Sequence, residues 1–296
     1  MANSDDRVES KPGLATGYRD IDTSAVISVD EVTEQAKKLG DGVPVERIAE
    51  LADNAPFVSI RDLRAGYGKM EILHNFNMQV GRAQSVCLIG PNGAGKSTVL
   101  HSIFGFTNIF SGRITVGEGG DARDVTNMSA EDKLRHAGIA YILQDNSVFP
   151  DLTVEENLLM GGYLMAKQAD ARAAAQRVFD KYPRLAERRS QRAGVLSGGE
   201  RRMLEISRAL VMDPAVLLVD EPSIGLEPRF IDQVFEILTD LQTNEGKTII
   251  MVEQNAKKGL EFADIGYVLV SGQLAKAGKG DDLLQDPDVG RLFLGG

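Results

Sequence analysis

A glycine-rich segment at residues 90–98 has the residue types and the spacing of a phosphate-binding loop. It reads Gly90-Pro91-Asn92-Gly93-Ala94-Gly95-Lys96-Ser97-Thr98 and fits the pattern G-x-x-x-x-G-K-[ST]. In such a loop the backbone N–H groups converge on phosphate oxygens, and the helix that opens at Gly95 adds its positive N-terminal end. We expect Lys96 to reach the β- and γ-phosphates of a nucleotide and the Ser97 hydroxyl to coordinate Mg²⁺.

Two adjacent carboxylates follow an apolar run further along the chain. Residues 216–219, Val-Leu-Leu-Val, predict a buried strand, and Asp220 and Glu221 come directly after it. An acid at this place helps to hold Mg²⁺ in a nucleotide site, which is the role predicted for Asp220. Glu221 is predicted to face the γ-phosphate as the general base that polarises the attacking water. A solvated turn is the alternative, and the apolar run before the pair disfavours it.

A second glycine-containing segment, Leu196-Ser197-Gly198-Gly199-Glu200, marks the start of another helix. Ser197 and Glu200 have the spacing of a capping box, which by itself predicts an ordinary helix start. Gly198 and Gly199 leave the N–H groups of this start bare, so that they and the Ser197 hydroxyl are available to an anion. Because the segment follows a helical insertion, it is expected to be remote from its own phosphate loop. We predict that it binds the γ-phosphate held by another subunit.

The elements that must position these groups are strands separated by helices. Residues 85–89 and 248–252 are continuous apolar runs like residues 216–219, and such runs are typical of strands covered on both faces. The helical segments between them predict a parallel α/β core with crossover helices. Residues 57–63 and 76–80 alternate between apolar and polar, which predicts half-buried strands.

Residues from about 151 to 212 form a predicted helical subdomain between the strand-rich halves. A capping box at Thr153 starts one helix that is expected to run towards Ala166. A second helix is predicted from Asp170 to Tyr182, and Pro183 is expected to stop it.

The first 56 residues are predicted to be an extension that precedes the main domain at 57–296. Residues 1–27 show no periodicity and are interpreted as flexible. Residues 32–39 have apolar positions at helical spacing, and a second short helix is predicted with Pro44 in its first turn.

Composition and charge exclude several classes of function. The 296 residues are 43% hydrophobic, and no run approaches the roughly 18 apolar residues of a membrane span. The first residues lack the features of a secretory signal, so a cytoplasmic location is expected. Cys87 is the only cysteine and lies in an apolar run, which indicates a small buried side chain. The net charge of −10, with twelve acidic and six basic side chains in residues 1–55, is unlike that of a nucleic-acid binder.

Together these residues resemble the ATP-binding subunits of ABC transporters over residues 57–296. The resemblance implies a P-loop NTPase fold with a mixed or parallel core sheet, an antiparallel β subdomain and a helical subdomain that contains residues 196–200. It also implies that two such domains close head to tail and trap two ATP molecules with Mg²⁺. Tyr67 matches the aromatic residue that stacks on adenine. Gln144 matches the glutamine that contacts Mg²⁺ and the water and senses the membrane subunit, and Glu221 the catalytic glutamate.

Two positions depart from the common pattern of this family. Glu227 stands where most members have aspartate, and Gln254 where most have a histidine that contacts the γ-phosphate. Glutamine donates a hydrogen bond but carries no proton at pH 7, so Gln254 is expected to position the phosphate. In these two positions and in the segments at 252–256 and 292–296, the sequence resembles the shorter ATPase subunit of branched-chain amino acid importers. Urea and short-chain amide importers share much of the pattern.

The resemblance also implies partners and a location. The partners are a second ATPase subunit (a different chain or a copy of this one), two membrane permease subunits and, indirectly, a solute-binding protein, with no nucleic acid. The chain would lie on the inner face of the cell membrane, with Gln144 and residues 145–152 towards the permeases. A soluble ABC ATPase and a non-catalytic nucleotide binder are rival interpretations. Residues 1–56 have no counterpart in the family, and a regulatory or docking role is our hypothesis for them.

Overall fold

The computed structural model of the protein describes residues 43–144 and 147–294. The predicted flexible segment at 1–27 and the predicted helix at 32–39 lie outside these residues. Two residues of the predicted permease contact, Asp145 and Asn146, also lie outside them.

A six-stranded mixed sheet forms the centre of the fold. From one edge to the other its strands are β10 (Gln273–Lys279), β9 (Ile265–Val270), β3 (Ser85–Ile89), β8 (Thr248–Val252), β7 (Val216–Asp220) and β6 (Ile139–Ile142). All neighbouring pairs are parallel except β10 and β9, which are antiparallel. Strands β3, β7 and β8 are buried along their whole length, which confirms the prediction from their apolar runs.

The only cysteine lies in the middle of this sheet. Cys87 belongs to β3 and its side chain is fully buried. Burial raises the pKa of the Cys87 thiol, so the thiolate that would make it reactive is disfavoured. The prediction of a small buried side chain is therefore confirmed.

A four-stranded antiparallel sheet packs beside the core. Its strands are, in spatial order, β2 (Met70–Gly81), β1 (Pro56–Tyr67), β4 (Asn108–Val116) and β5 (Arg123–Asp124). The two strands predicted here are confirmed, but β1 and β2 are each twelve residues long. The pairing of β1 with β2 shifts register between Ile60 and Leu63, and again towards Tyr67. These irregularities interrupt the apolar–polar alternation, so the sequence pattern covers only part of each strand.

In the described part of the chain, six helices connect or follow the strands of the core. They are α2 (Lys96–Phe104), α3 (Ala130–Ala137), α8 (Pro228–Thr243), α9 (Ala256–Phe262), α10 (Gly280–Leu284) and α11 (Pro287–Phe293). Helix α2 begins in the phosphate loop and ends at Gly105, as predicted. Because α2 starts where β3 ends, the loop is held between a buried strand and a packed helix.

The helical subdomain contains α4 (Val154–Gly161), α5 (Gln168–Lys181), α6 (Pro183–Glu187) and α7 (Gly198–Leu210) around its own apolar cluster. The capping box of Thr153 and Glu156 is present at the start of α4. The prediction that this helix runs towards Ala166 was wrong, because α4 ends at Gly161 with Gly162 as its C-cap. Pro183 follows the end of α5 as predicted, and it also opens α6 at a position where its missing N–H costs nothing.

A short helix precedes the antiparallel sheet. Helix α1 (Val45–Leu51) has Pro44 as its N-cap, which confirms the second helix predicted in the first 56 residues. Ile48 and Ala52 are buried, and the helix packs against β2 and β10. The predicted boundary at residue 56 stays a prediction, although α1 shares the core of the residues that follow. Among the described residues, no helix is both long enough and apolar enough to cross a membrane.

Candidate active site

The glycine-rich loop lies at the carboxyl end of β3, between that strand and α2. Gly90 has a φ of 148°, and a Cβ added there would lie 2.2 Å from the carbonyl oxygen of Leu269. Only glycine allows the loop to pass so close to β9. The start of α2 has Gly95 as its N-cap and no side-chain capping hydrogen bond. The first N–H groups of α2 therefore have no side-chain acceptor at this helix start, which suits a site that binds phosphate.

Lys96 folds back over this loop. Its Nζ donates to the carbonyl oxygens of Gly90, at 2.8 Å, and Pro91, at 3.1 Å. Burial lowers the pKa of Lys96, and the carboxylates of Glu221 and Asp220 oppose that shift. The loop, the lysine and the two predicted acids therefore form one electrostatic group, as the sequence pattern requires.

Two of the three predicted magnesium ligands, Ser97 and Asp220, lie side by side. The Ser97 hydroxyl donates to Oδ1 of Asp220 over 3.2 Å, and the Tyr141 hydroxyl donates to Oδ2 of the same carboxylate over 2.7 Å. Burial and the charge of Asp220 raise the pKa of Tyr141, which keeps its hydroxyl protonated as a donor. Tyr141 lies in β6, and sequence reasoning missed it because nothing local to that strand indicates a partner in β7.

The predicted base and the predicted glutamine are also neighbours. Nε2 of Gln144 donates to Oε2 of Glu221 over 2.8 Å. Glu221 has a φ of 44°, and its own N–H donates to the carbonyl oxygen of Val252 over 2.9 Å. A positive φ at a glutamate is a strained conformation that the surrounding structure must hold in place. Here the neighbouring strand β8 supplies a hydrogen bond that holds it.

Gln254 is exposed just beyond β8, beside the strand that presents Asp220 and Glu221. The preceding residue, Glu253, is only 2% exposed and accepts hydrogen bonds from Ser223, at 2.7 Å, and from the N–H of Asn255, at 2.9 Å. This buried carboxylate joins the segment after the base to the segment that carries Gln254. Sequence reasoning assigned no role to Glu253.

Tyr67 lies at the end of β1, with 43% of its surface exposed. Its hydroxyl forms a short hydrogen bond to Nδ1 of His101 on α2, at 2.5 Å. Burial lowers the pKa of His101, which favours its neutral form. The ring of His101 also contacts Tyr141 edge-on, with 5.7 Å between centroids. An aromatic cluster thus links the predicted adenine contact to the strand beside Asp220.

The Ser197 segment is built as the capping box predicted. The Ser197 hydroxyl oxygen accepts from the N–H of Glu200 over 3.3 Å, and Glu200 accepts from the N–H of Ser197 over 3.1 Å. The hydrogen bond from the Ser197 N–H lowers the pKa of the Glu200 carboxyl group. A Cβ on Gly199 would lie 2.3 Å from the ring of Phe230, so α7 starts in direct contact with α8. Among the described residues, no hydrogen bond joins this segment to the loop at 90–98.

Arg202, one turn further along α7, is a second residue that sequence reasoning missed. Its guanidinium is 5% exposed and donates to the carbonyl oxygens of Leu143, at 2.8 Å, and Asp220, at 3.3 Å. It also forms an ion pair with Glu205 at 2.8 Å. Helix α7 therefore reaches the strand ends that present Gln144 and Glu221.

A groove of about 340 Å³ separates the helical subdomain from β6. Three large apolar side chains on its wall are exposed, namely Phe149 (43%), Met160 (42%) and Tyr163 (77%). The buried Glu205 also lines this groove, and the Arg208 guanidinium lies over the ring of Phe149 at 5.6 Å. An apolar surface of this kind next to Gln144 is typical of a protein-binding site.

Comparison with known proteins identifies the arrangement. The family model described as ABC transporter matches residues 73–224. The high-affinity branched-chain amino acid transport ATP-binding protein BraG of Pseudomonas aeruginosa is 43% identical over 230 residues, which are 78% of this chain and 96% of that protein. The probable branched-chain amino acid transport ATP-binding protein LivF of Archaeoglobus fulgidus is 36% identical over 233 residues, 79% of this chain and 96% of that one.

Solved structures agree with the sequence comparison. A nucleotide-free ATP-binding cassette from an ABC transporter is 26% identical and superposes with a TM-score of 0.70, covering 80% of this chain and 98% of that one. The ADP conformation of an ATP-binding cassette is likewise 26% identical with a TM-score of 0.70, covering 81% of this chain and 99% of that one. The α/β cassette fold expected from the sequence is confirmed.

Proposed function

The chain belongs to the ABC transporter family, and from that premise we propose that it is the ATP-hydrolysing subunit of an importer of branched-chain amino acids. The observation that carries this proposal is the 43% identity to a branched-chain amino acid transport ATP-binding protein over 96% of that protein's length. The electrostatic influence of Asp220 and Glu221 on Lys96 supports a shared role of these three residues in ATP binding and hydrolysis.

Nucleotide binding is assigned to the loop at 90–98, with Tyr67 against the adenine. Ser97 Oγ and Asp220 Oδ1 lie 3.2 Å apart, and this pair of oxygen donors at the end of the loop fits Mg²⁺. When bound, the ion would neutralise charge on the β- and γ-phosphates. Lys96 would exchange the carbonyl oxygens of its own loop for phosphate oxygens, which are stronger acceptors for an ammonium.

Hydrolysis is assigned to Glu221 as general base, with Gln144 orienting it and the attacking water. The 2.8 Å bond between the two side chains supports this pairing. The proton of the water passes to the Glu221 carboxylate as the water oxygen attacks the γ-phosphorus and the bond to the β-phosphate oxygen breaks. Gln254, exposed beyond β8, would donate to the γ-phosphate without taking a proton.

The second half of each ATP site is assigned to a partner ATPase subunit, either a different chain or a second copy. The start of α7, with Ser197, Gly198 and Gly199, would face the γ-phosphate that the partner's loop holds. Helix α2 belongs to the α/β core and α7 belongs to the helical subdomain. One chain would therefore offer its phosphate loop to one nucleotide and its Ser197 segment to another.

The groove beside β6 is assigned to the membrane permease subunits. Its exposed Phe149, Met160 and Tyr163 would be covered by an apolar segment of the permease, next to Gln144. Through these permeases the chain would lie on the cytoplasmic face of the cell membrane, and a solute-binding protein would act on the other face. Residues 1–56 are proposed to be a regulatory or docking extension.

Uptake measurements test the proposal. In cells that lack this gene, we expect uptake of labelled leucine and isoleucine to be lost, restored by the wild-type chain and not restored by Lys96→Met. Loss of urea or acetamide uptake instead would assign the motor to the related importers. Unchanged uptake of all these solutes would contradict an import function, and co-purification with nucleic acid would favour a soluble ABC ATPase.

A further inference from the structure

Helix α7 carries a buried ion pair whose arginine also donates hydrogen bonds to groups outside the pair. Arg202 and Glu205 are 5% and 7% exposed, and Nη1 lies 2.8 Å from Oε2. A buried pair of this kind costs desolvation energy that its mutual attraction only partly offsets. Additional hydrogen bonds therefore decide what the arginine contributes.

Those additional bonds go to two backbone carbonyls at the ends of neighbouring strands. Nη1 donates to Leu143 just after β6, and Nη2 donates to Asp220 at the end of β7. The next residue along the chain is Gln144 in the first case and Glu221 in the second. Their side chains hydrogen-bond to each other at 2.8 Å. One guanidinium thus binds the backbone on which both members of this pair are carried.

We propose that Arg202 is a positioning residue for ATP hydrolysis, which rests on the roles proposed above for Gln144 and Glu221. Its planar fork holds the two strand ends at a fixed separation, so that the Gln144 amide reaches the Glu221 carboxylate. A lysine is a single point of charge and cannot reproduce a fork of two nitrogens. The side chain of Asp220 is held separately by Ser97 and Tyr141, so nucleotide binding does not depend on Arg202.

The same pair connects the catalytic residues to the groove beside β6. Glu205 lines that groove, and Arg202 is its ion-pair partner. An occupant that moves Glu205 therefore moves the guanidinium that binds the backbone before Gln144 and before Glu221. This gives groove occupancy a direct route to the hydrolysis step.

The test separates positioning from folding by removing both charges together. Arg202→Met alone removes the hydrogen-bonded cation from the buried Glu205, which destabilises the fold. The double variant R202M/E205L keeps apolar volume in place and removes that charge. R202K keeps the ion pair but not the fork. The control R184M/E187L removes an exposed pair with the same spacing, on α6 in the same subdomain.

Each full-length variant is examined by ATP turnover in the assembled transporter, and as the purified chain by ATP affinity, thermal denaturation and amide hydrogen exchange. For R202M/E205L we expect turnover to fall about tenfold or more, from the lost bonds to a charged donor, with ATP affinity within about twofold of wild type. Exchange should accelerate in residues 139–144 and 216–227 and stay unchanged in residues 85–105. R202K should recover part of the turnover, and the control should match wild type.

Two results would overturn the proposal. One is wild-type turnover and exchange in R202M/E205L, which would leave Arg202 as the counter-ion of Glu205 alone. The other is a parallel loss of affinity, turnover and melting temperature, which would make it a structural residue. Glu221→Gln is measured alongside. If that variant keeps turnover, the assigned base is wrong, whereas the exchange data still decide whether Arg202 holds the two strand ends.

Discussion

Two helix starts in this molecule are assigned to phosphate, and they are built differently. Helix α2 starts at Gly95 without any side-chain capping bond, and its lysine lies over the loop. Helix α7 starts at Ser197 with a complete capping box, in which Glu200 and Ser197 satisfy each other's N–H groups. The first start has unused donors within one chain, whereas the second is already stable by itself.

The difference indicates how the work is divided. A helix start without a cap has unpaired N–H groups, which cost free energy unless an anion binds them. Bound nucleotide should therefore stabilise α2. A capped start gains less, and the Glu200 carboxylate opposes an approaching phosphate. We therefore expect the α2 side to determine ATP affinity and the α7 side to act only after a partner has delivered its nucleotide.

The largest expected effect belongs to the acid beside the α2 start. Glu221→Gln should lower ATP turnover by about 10²- to 10⁴-fold, because the amide cannot accept the proton of the attacking water. ATP affinity should be retained, as equilibrium binding of a fluorescent nucleotide will show. Glu236→Gln, an exposed acid on α8, is the control and should leave turnover unchanged. Near-normal hydrolysis by Glu221→Gln would remove the assignment of the base.

Lys96→Met is expected to weaken ATP binding about tenfold to hundredfold, because a charged donor to phosphate is lost. Titration of the purified chain with nucleotide measures this change. Lys167→Met, at the exposed start of α5, removes the same charge and should bind ATP as wild type does. If Lys96→Met bound ATP normally, the α2 start would not be the principal phosphate site.

Ser197→Ala tests the other helix start. Turnover should fall about tenfold, since one hydroxyl donor to the partner-held phosphate is lost, and stability should fall by about 1 kcal/mol from the missing cap. ATP affinity of the isolated chain should not change. Thr153→Ala removes the equivalent cap on α4 and should reproduce only the loss of stability. A turnover loss as large in Thr153→Ala would reduce the Ser197 effect to folding.

The two glycines after Ser197 should respond differently to alanine. Gly199→Ala places a methyl group 2.3 Å from Phe230 and is expected to cost about 1–3 kcal/mol of unfolding free energy. At Gly198 the nearest atom is a side-chain carbon of Leu226 at 3.5 Å, so Gly198→Ala should be close to neutral in stability. Urea denaturation compares the two. Equal costs would mean that packing against α8 is not what requires glycine at residue 199.

The smallest expected effect lies at the far end of α2, where Lys133 donates to the carbonyl oxygen of Ser102. Burial lowers the pKa of Lys133 to about 8 from its ordinary 10.5. The charged form therefore costs stability below pH 8, and this cost disappears as the pH rises from about 8 to 10.5. Lys133→Met should gain about 1–2 kcal/mol at pH 7 and lose that advantage by pH 10. Melting curves of wild type and variant at the two pH values measure this difference. A gain in stability that does not depend on pH would contradict the lowered pKa of Lys133.

Structural features that a single short segment encodes could be predicted from the sequence. Largely apolar runs predict β3 and β8 with their observed bounds, since a strand covered on both faces is mostly apolar. Both capping boxes and the loop are local patterns too. The end of α4 was misjudged because apolar residues continue past Gly162, where the helix has already ended.

Residues that act across the fold could not be found in this way. Ser97 and Asp220 were paired only because each lies in a recognisable motif. Tyr141 and Arg202 bind Asp220 from β6 and α7, and no pattern in their own segments indicates that partner. No pattern around His101 indicates a partner either, although the fold places it against Tyr67. Such contacts depend on strand order, which only the assembled sheet provides.

The order of the strands also places helix α1 and the groove beside β6 at opposite edges of the core sheet. Helix α1 packs at the β10 edge of the six-stranded sheet, and the groove borders β6 at the opposite edge. Six strands at their usual spacing of about 4.8 Å place these edges about 24 Å apart. A fluorophore attached at Val43 would thus stand away from any segment lodged in the groove. Energy transfer between the two would then report permease docking without obstructing it.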